Sequence, residues 1–240
     1  AVQTIPEFLE RRFNARARSI LSVVSLVAYV FTKVSVTVYA GAIVFQALLP
    51  DTFGSPENAF WVGAFTTVIV TGIYTVFGGM RAIMATATPQ AVIILFGAAV
   101  ITYMGLNKLG DGAGIVAGWT ELKAAAAANK EAFALWRPLS DPEFPWLGVL
   151  IASPIIGIWY WCTDQYIVQR ALSAKDLATA RRGALFGGLL KVWPVLIFLV
   201  PGMIGWALHQ KGLLQLPMKV VDGVATIDGD TVFPTLVTTL

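Results

Sequence analysis

Charged residues are scarce in this 240-residue chain: Asp, Glu, Lys and Arg together make up 13% of it, against roughly 25% in ordinary soluble domains. Hydrophobic residues make up 57%, and the mean hydropathy is +0.72. A soluble core of this size does not need so much apolar sequence, and helices that are apolar on all sides need lipid or protein to cover them. The composition therefore predicts an integral membrane protein and argues against a soluble globular domain.

Cysteine and histidine are almost absent. The single cysteine, Cys162, excludes an internal disulfide and a multi-cysteine metal site, and the single histidine, His209, is expected in a loop or interface at a helix end. Basic residues exceed acidic ones by 17 to 14, but no basic patch is interleaved with aromatic residues, so nucleic acid is not a predicted partner. The sequence also lacks a Ser/His/Asp set, a phosphate-binding loop and a cluster of metal ligands, and it does not predict an enzyme.

Long hydrophobic runs are what the chain has in abundance. Five of them are long enough to cross the hydrocarbon core of a bilayer, for which a helix needs about 20 residues. They lie near residues 19–48, 60–77, 82–106, 146–168 and 183–208. Residues 107–145 are rich in alanine and predict a helix-containing loop, whose apolar face would carry Trp119, Leu122, Ala126 and Phe133. Residues 209–240 are interpreted as a tail.

The orientation is predicted from Lys and Arg in the connections, because these residues are more frequent on the cytoplasmic side. Alternate connections contain nine basic residues on the side of the N-terminal loop and six on the other, and the short basic ones all lie on the first side. The N-terminal loop is therefore predicted to be cytoplasmic, and residues 107–145 and 209–240 extracellular. The first residue is Ala1, without an initiator methionine or a signal peptide, and the chain is interpreted as a fragment of a longer protein.

Charged side chains inside the predicted spans are candidate functional residues, because charge in hydrocarbon is costly. Lys33 lies in the first span, Asp164 in the fourth and Lys191 in the fifth. Snorkelling to the interface or a structural ion pair is the alternative for each of them. The residues alone leave these interpretations open.

Helix-breaking residues accompany these charges. Pro154 and Gly157 interrupt the fourth stretch and Pro194 interrupts the fifth. In transporters, broken helices line binding sites near the middle of the membrane. A kink in the fourth stretch is expected to place Tyr160 and Trp161 on a cavity, where aromatic rings stack on a sugar and a lysine donates to its hydroxyls. An interfacial aromatic belt is the alternative.

Seven longer stretches occur in an order that resembles a known family. They are TIPEFLERRF (4–13), YVFTKVSVTVYAGAIVF (29–45), IYTVFGGMRA (73–82), FALWRPLSDPEFPWLG (133–148), WYWCTDQYIVQRALSAKD (159–176), LLKVWPVLIFLVPGMI (189–204) and FPTLVTTL (233–240). Together they resemble the sodium:solute symporter family, specifically its sodium/glucose cotransporter branch. The resemblance implies an all-α membrane protein with a LeuT-like fold of two inverted repeats, of which this chain would hold the third to seventh core helices.

The resemblance also implies roles for individual residues. Tyr160 matches the aromatic gate that closes the sugar site from the cytoplasmic side, and Trp161 matches its neighbour at the site. Lys191 matches the lysine that hydrogen-bonds sugar hydroxyls. Gly157 stands where a Thr, Ser or Asn would contact the sugar. Three alternatives are open for the missing hydroxyl: a different sugar, a water molecule in its place, or weaker binding.

Na⁺ is the coupling ion that the resemblance implies, with the main sodium site built by helices outside this chain. The family pattern GG-x-x-A-x-x-x-T-D-x-x-Q stands here as GGMRAIMATATPQ, so Thr86 is kept and Ala87 replaces the aspartate. Because that carboxylate is linked to a second sodium site, no second sodium is expected here. Family sugar transporters also carry an acid four residues after the lysine equivalent to Lys33, but this chain has Thr37.

The predicted function is sodium-coupled symport of a glucose- or galactose-type sugar across the plasma (inner) membrane. The partners implied are the sugar, Na⁺ and the lipid bilayer. Two alternatives remain at this point: a sodium-coupled transporter of myo-inositol or another small solute, and a membrane sensor with a symporter-like domain. The loss of the carboxylate at Ala87 fits a protein that binds solute without coupling it to sodium.

Overall fold

The computed structural model describes residues 2, 4–127, 134, 136–142, 144–221 and 223–240. The α-helices are α1 (Ile5–Arg12), α2 (Ala15–Ala28), α3 (Ser35–Leu48), α4 (Pro56–Leu109), α5 (Ile115–Ala127), α6 (Trp146–Ile158), α7 (Gln165–Leu172), α8 (Leu177–Leu190), α9 (Val200–Gln210) and α10 (Gly229–Thr239). Three π-helical segments are π1 (Tyr29–Val34), π2 (Trp159–Thr163) and π3 (Val195–Leu199), and the strands are β1 (Met218–Val221) and β2 (Val224–Ile227).

Side-chain caps define where several of these helices begin. The hydroxyl of Thr4 accepts a hydrogen bond from the backbone N–H of Glu7 at 3.2 Å, and the side chain of Asn14 accepts one from Ala17 at 2.9 Å. Ser55 caps α4 in the same way, directly before Pro56 at the first helical position. These residues satisfy N–H groups that have no partner within the helix.

Four helical segments of the described chain are long and apolar enough to cross a membrane, by length and composition: Ala15–Leu48, Pro56–Leu109, Trp146–Thr163 and Leu177–Gln210. The sequence predicted five stretches. The structure has four segments because two of the predicted stretches, 60–77 and 82–106, both lie on α4. Their division is at Gly79, whose φ of 53° and ψ of −148° are not helical. Only glycine adopts this conformation without strain, so α4 consists of two helices joined at this residue.

The chain forms two compact units, residues 1–33 with 130–189 and residues 34–129 with 190–240. A cluster of buried hydrophobic side chains lies in the second unit: Leu106, Leu109, Leu122, Val200, Ile204, Ala207, Leu208, Leu214, Leu216 and Leu236. These residues come from α4, α5, α9, α10 and the turn that follows α9.

Helix α5 packs closely against the end of α4. A Cβ atom added to Gly118 would lie 1.9 Å from the backbone oxygen of Leu106, so the approach of the two backbones requires glycine. Leu122 and Ala126 are buried, whereas Trp119 is 38% exposed. Phe133, which the sequence placed on the same face, lies outside the described residues.

Residues 209–240, interpreted from the sequence as a tail, have a folded structure. Strands β1 and β2 form an antiparallel hairpin in which Met218 pairs with Ile227. Helix α10 follows, and its Leu236 is fully buried in the hydrophobic cluster. The hairpin is the described part of the chain that departs from the predicted all-α architecture. Two strands of four residues do not show enough alternation of apolar and polar residues to be recognised by their pattern.

Candidate functional site

The aromatic residues Trp159, Tyr160 and Trp161 lie on π2, directly after α6. The backbone N–H of Asp164 donates to the carbonyl of Trp159 at 2.9 Å, which is a hydrogen bond across five residues. π-Helical turns of this kind interrupt regular helices and frequently occur at functional sites. The rings of Tyr160 and Trp161 meet edge to face, with centroids 5.4 Å apart. Trp161 is 42% exposed, so part of its ring surface is open to contact with another molecule.

Gly157 lies in α6, one helical turn before this aromatic group. A Cβ atom added at this position would have no heavy atom within 4 Å among the described neighbours. Packing within the chain therefore does not explain the glycine, because a small polar side chain would fit. Pro154 lies within the same helix and removes one backbone hydrogen bond from it.

Asp164 follows π2 and is the one buried charged or polar residue among those the structure describes, with 2% of its surface exposed. Its Oδ2 atom accepts from the ammonium of Lys33 at 2.6 Å, and its Oδ1 atom accepts from the hydroxyl of Tyr29 at 3.0 Å. Oδ1 also accepts from the backbone N–H of Tyr166 at 3.3 Å, which caps α7. Both carboxylate oxygens are thus hydrogen-bonded, as a buried charge requires.

Aromatic rings surround the ammonium of Lys33. Its Nζ atom lies 4.5 Å from the ring centre of Tyr29, 5.0 Å from that of Trp159 and 5.7 Å from that of Tyr166. All three distances are within the range in which a cation is attracted to an aromatic ring. The ammonium therefore connects π1 with both ends of π2.

The sequence left open whether Lys33 and Asp164 snorkel to the interface or form an ion pair, and this geometry shows the ion pair. Lys33 and Asp164 form a structural ion pair, and Lys33 thereby has a carboxylate partner although Thr37 stands where the family has an acid. Sequence reasoning identified the two charges but did not pair them, and it missed Tyr29. The spacing of four residues between Tyr29 and Lys33, which puts them on one helix face, was the available signal.

Lys191 belongs to the second unit. It lies in the turn 191–193 between α8 and π3, directly before Pro194, and its residue surface is exposed. Its sequence neighbours Leu190 and Trp193 line an apolar cavity of about 540 Å³ together with residues that include Leu106 and Val200. Gly157, Tyr160 and Trp161 all belong to the first unit, so the structure brings these three predicted site residues together on one segment.

The residues that the resemblance links to a second sodium site lie in α4. The hydroxyl of Thr86 donates within the helix, with the carbonyl oxygens of Ala82 and Ile83 at 3.0 Å and 3.1 Å. Ala87 is half-buried and supplies no side-chain oxygen. In the described part of the chain, no group of three or more His, Cys, Asp or Glu residues is placed to hold a metal ion.

The chain is similar to known membrane transporters along its whole length. A sequence model of the sodium:solute symporter family matches residues 1–240. Sodium/glucose cotransporter 4 of Danio rerio is 34% identical over 95% of the chain and 34% of its own length. Sodium/glucose cotransporter 1 of Ovis aries is 32% identical over 100% of the chain and 38% of its own length. Sodium/myo-inositol cotransporter 2 of Homo sapiens is 37% identical over 85% of the chain and 30% of its own length. The chain thus spans about a third of the length of these relatives.

Proposed function

The chain belongs to the sodium:solute symporter family, and from this we propose that it forms the central part of a sodium-driven symporter for a glucose- or galactose-type sugar. The observation that carries the proposal is the family match over all 240 residues. Among the relatives are sodium/glucose cotransporters that align with 95% and 100% of the chain. Na⁺ is the coupling ion, and transport follows by alternating access in a multi-pass membrane protein.

The aromatic residues of π2 are the proposed sugar-binding surface. Trp161 offers the open part of its ring to the apolar face of a sugar, and half-buried Tyr160, held edge to face against it, closes the site toward the cytoplasm. Lys191 donates hydrogen bonds to sugar hydroxyls. The open space at Gly157 admits a water molecule or a hydroxyl group where other members have a polar side chain. Stacking combined with a few placed donors is the usual design of small-molecule sites.

The proposed transport cycle uses the LeuT-like inverted repeats, of which this chain supplies the third to seventh core helices. The N-terminal loop lies in the cytoplasm and the protein in the plasma (inner) membrane. Sodium binding favours the outward-open state, and sugar binding allows the change to the inward-open state. The membrane potential contributes about 2.3 kcal/mol per charge for each 100 mV. With Ala87 in place of a carboxylate and Thr86 hydrogen-bonded within α4, the proposed cycle has no second sodium at this position.

Myo-inositol is the second candidate substrate. Human sodium/myo-inositol cotransporter 2 is 37% identical to the chain, which is no lower than the 34% of the zebrafish sodium/glucose cotransporter 4. A cyclic polyol also presents hydroxyls to a lysine and an apolar face to aromatic rings. The residues of the proposed site are therefore compatible with both substrates.

Uptake into proteoliposomes tests the proposal. The full-length protein is reconstituted, and accumulation of labelled glucose, galactose and myo-inositol is measured with and without an inward sodium gradient. We expect sodium-dependent accumulation of at least one of them. In Lys191→Ala, the KM for that solute should rise about 10- to 100-fold, because hydrogen bonds from a charged donor contribute about 1.5–3 kcal/mol.

Lys211→Ala is the matched control, since Lys211 lies in the same unit and forms an ion pair with Glu121 of α5. Its KM should stay within about twofold of the wild type, as expected for an exposed ion pair. Solute binding without sodium-driven accumulation would contradict symport and favour the sensor. Accumulation with an unchanged KM in Lys191→Ala would remove Lys191 from the proposed site.

A further inference from the structure

We propose that Asp164 and Lys33 are positioning residues: their ion pair holds π2 in the conformation that presents Tyr160 and Trp161 to the solute. The inference rests on the proposed function of these two aromatic residues. In this proposal the carboxylate of Asp164 and the ammonium of Lys33 affect solute affinity indirectly, through the position of Tyr160 and Trp161. The pair contacts π2 at its start, through the ring of Trp159, and at its end, through Asp164.

Apolar packing does not hold this turn in place within the first unit. Among the described residues of this unit, no hydrophobic side chain is buried. Trp159 and Trp161 are 47% and 42% exposed. A π-helical turn has poorer backbone geometry than an α-helix and therefore needs specific contacts to persist. The hydroxyl of Thr163 donates to the carbonyl of Trp159 within the turn at 2.9 Å, and the polar contacts that join the turn to π1 converge on Asp164.

Asp164 fixes the end of π2. Its backbone N–H closes the turn onto Trp159 at 2.9 Å, while its carboxylate caps the following helix through Tyr166. Lys33 and Tyr29 reach the same carboxylate from the first predicted span, 131 and 135 residues earlier in the chain. Because one side chain joins the turn to a distant helix, a change in its charge is expected to shift the aromatic residues attached to it.

The start of π2 is held by the same ammonium. Nζ of Lys33 lies 5.0 Å from the ring centre of Trp159, the first residue of the turn. The rings of Trp159 and Tyr160 are in contact, with centroids 6.5 Å apart, and Tyr160 contacts Trp161 in turn. A continuous series of contacts thus leads from the ion pair to the proposed sugar-binding surface.

The burial of one partner separates positioning from general stabilisation: the side chain of Asp164 is 2% exposed, whereas that of Lys33 is 35% exposed. Removing Lys33 leaves an unpaired buried carboxylate and destabilises the protein, whereas removing both charges is often tolerated. A pair that only stabilises the fold would therefore leave solute affinity normal once both charges are gone. A pair that positions the turn would leave affinity low in that double variant, although the protein is stable.

The test uses the full-length protein with Asp164→Asn, Lys33→Met and the double variant. Asparagine has nearly the same shape as aspartate and remains a good helix cap, so the substitution removes mainly the charge. For the solute that the wild type accumulates, we expect the KM to rise about tenfold in each single variant, because small displacements of binding groups have large effects. The double variant should regain wild-type thermal stability and keep the raised KM.

Asp141→Asn is the matched control. Asp141 lies in the same unit, its side chain is 5% exposed, and its Oδ2 accepts from Arg137 at 3.1 Å. The variant removes a largely buried carboxylate whose hydrogen-bond partners include Arg137 and the backbone N–H of Phe144, and its KM should equal that of the wild type. A KM in Asp164→Asn and in the double variant within about twofold of the wild type would overturn the inference.

A second measurement does not depend on transport. Cys162 lies within π2 and is exposed, so its alkylation by a membrane-permeant maleimide reports on the conformation of the turn. The rate is followed by peptide mass spectrometry of the full-length protein in detergent. We expect it to change at least threefold in Asp164→Asn and in the double variant, but not in Asp141→Asn.

The two measurements keep the inference and the proposed function apart. If the wild type accumulates no solute, the proposed function fails, while the alkylation rates still show whether the ion pair holds the turn. If the wild type transports and the rates and KM values of all variants agree with it, the inference fails and the proposed function stands.

Discussion

The two units of the chain are stabilised in different ways. In residues 34–129 and 190–240, apolar side chains from several helices are buried against each other, and Leu109, Leu122 and Leu208 are fully inaccessible. In residues 1–33 and 130–189, the buried residue that the structure describes is Asp164, which is held by Lys33 and Tyr29. One unit thus has a hydrophobic core, and the other has a hydrogen-bonded ion pair.

This difference has a physical reason. Between helices in a membrane the hydrophobic effect supplies little attraction, because lipid is as apolar as the side chains, and polar contacts therefore specify which helices meet. The hydrophobic cluster of the second unit involves the end of α4, helices α5, α9 and α10 and the turn that follows α9. Half of its members lie in parts predicted to be outside the membrane, where water drives burial: Leu109, Leu122, Leu214, Leu216 and Leu236. The ion pair of the first unit lies in two predicted spans.

The comparison is tested most strongly by truncating the hydrophobic core. Leu208→Ala removes a fully buried side chain from α9 and should lower the free energy of unfolding by about 2–5 kcal/mol, as large-to-small core substitutions do. Leu185→Ala is the control in the first unit, because Leu185 is 77% exposed. Thermal unfolding of the full-length protein in detergent gives both values. Equal losses in the two variants would show that the units do not differ as described.

Removing one hydrogen bond tests the polar side of the comparison. Tyr29→Phe leaves the ring beside Lys33 but takes away the hydroxyl that donates to Asp164 at 3.0 Å. Hydrogen bonds to charged groups contribute about 1.5–3 kcal/mol, so a loss of this size is expected in thermal unfolding. Tyr103→Phe is the control, because Tyr103 is 55% exposed and belongs to the second unit. A loss no larger than that of the control would mean that Asp164 is held without Tyr29.

The sequence predicted the helical part of this architecture well, for reasons that individual residues illustrate. Hydropathy placed 60–77 and 82–106 on α4, and the glycine pair between them contains Gly79, where the backbone breaks. The motifs also identified the family, because they extend over most of the chain. Relationships between distant residues were not predictable in this way. Lys33 and Asp164 are 131 residues apart, and no local pattern pairs them.

Local geometry was the other part that the sequence did not reveal. Hydropathy cannot distinguish a π-turn from an α-helix, because both tolerate the same apolar residues, so π2 was expected only as a kink near Gly157. The hairpin of β1 and β2 was hidden by its short strands. The roles of Lys191, Tyr160 and Trp161 came from the family resemblance and remain predictions that the uptake experiment tests.

The smallest expected effect on the unfolding temperature is at Asp176, an exposed acidic residue of the first unit that lies outside the predicted spans. Asp176 precedes α8, and its Oδ1 atom accepts from the backbone N–H of Thr179 at 2.6 Å. Hydrogen bonds from the backbone and side chain of Thr179 lower the pKa of this carboxyl below its usual value, because they favour the charged form. A lowered pKa in the folded state means that the ionised group stabilises the fold above the unfolded pKa of about 3.9. This contribution is lost as the pH falls through the folded-state pKa.

Asp176→Asn keeps a capping oxygen but removes the titration, so it isolates the part of the stability that depends on charge. The unfolding temperature of the wild type should exceed that of the variant at pH 6, and the difference should shrink as the pH falls from 5 to 3. A difference that stays constant over this range would mean that the charge of Asp176 makes no contribution. The effect should be smaller than that of Tyr29→Phe, because water screens an exposed cap far more than the buried carboxylate of Asp164.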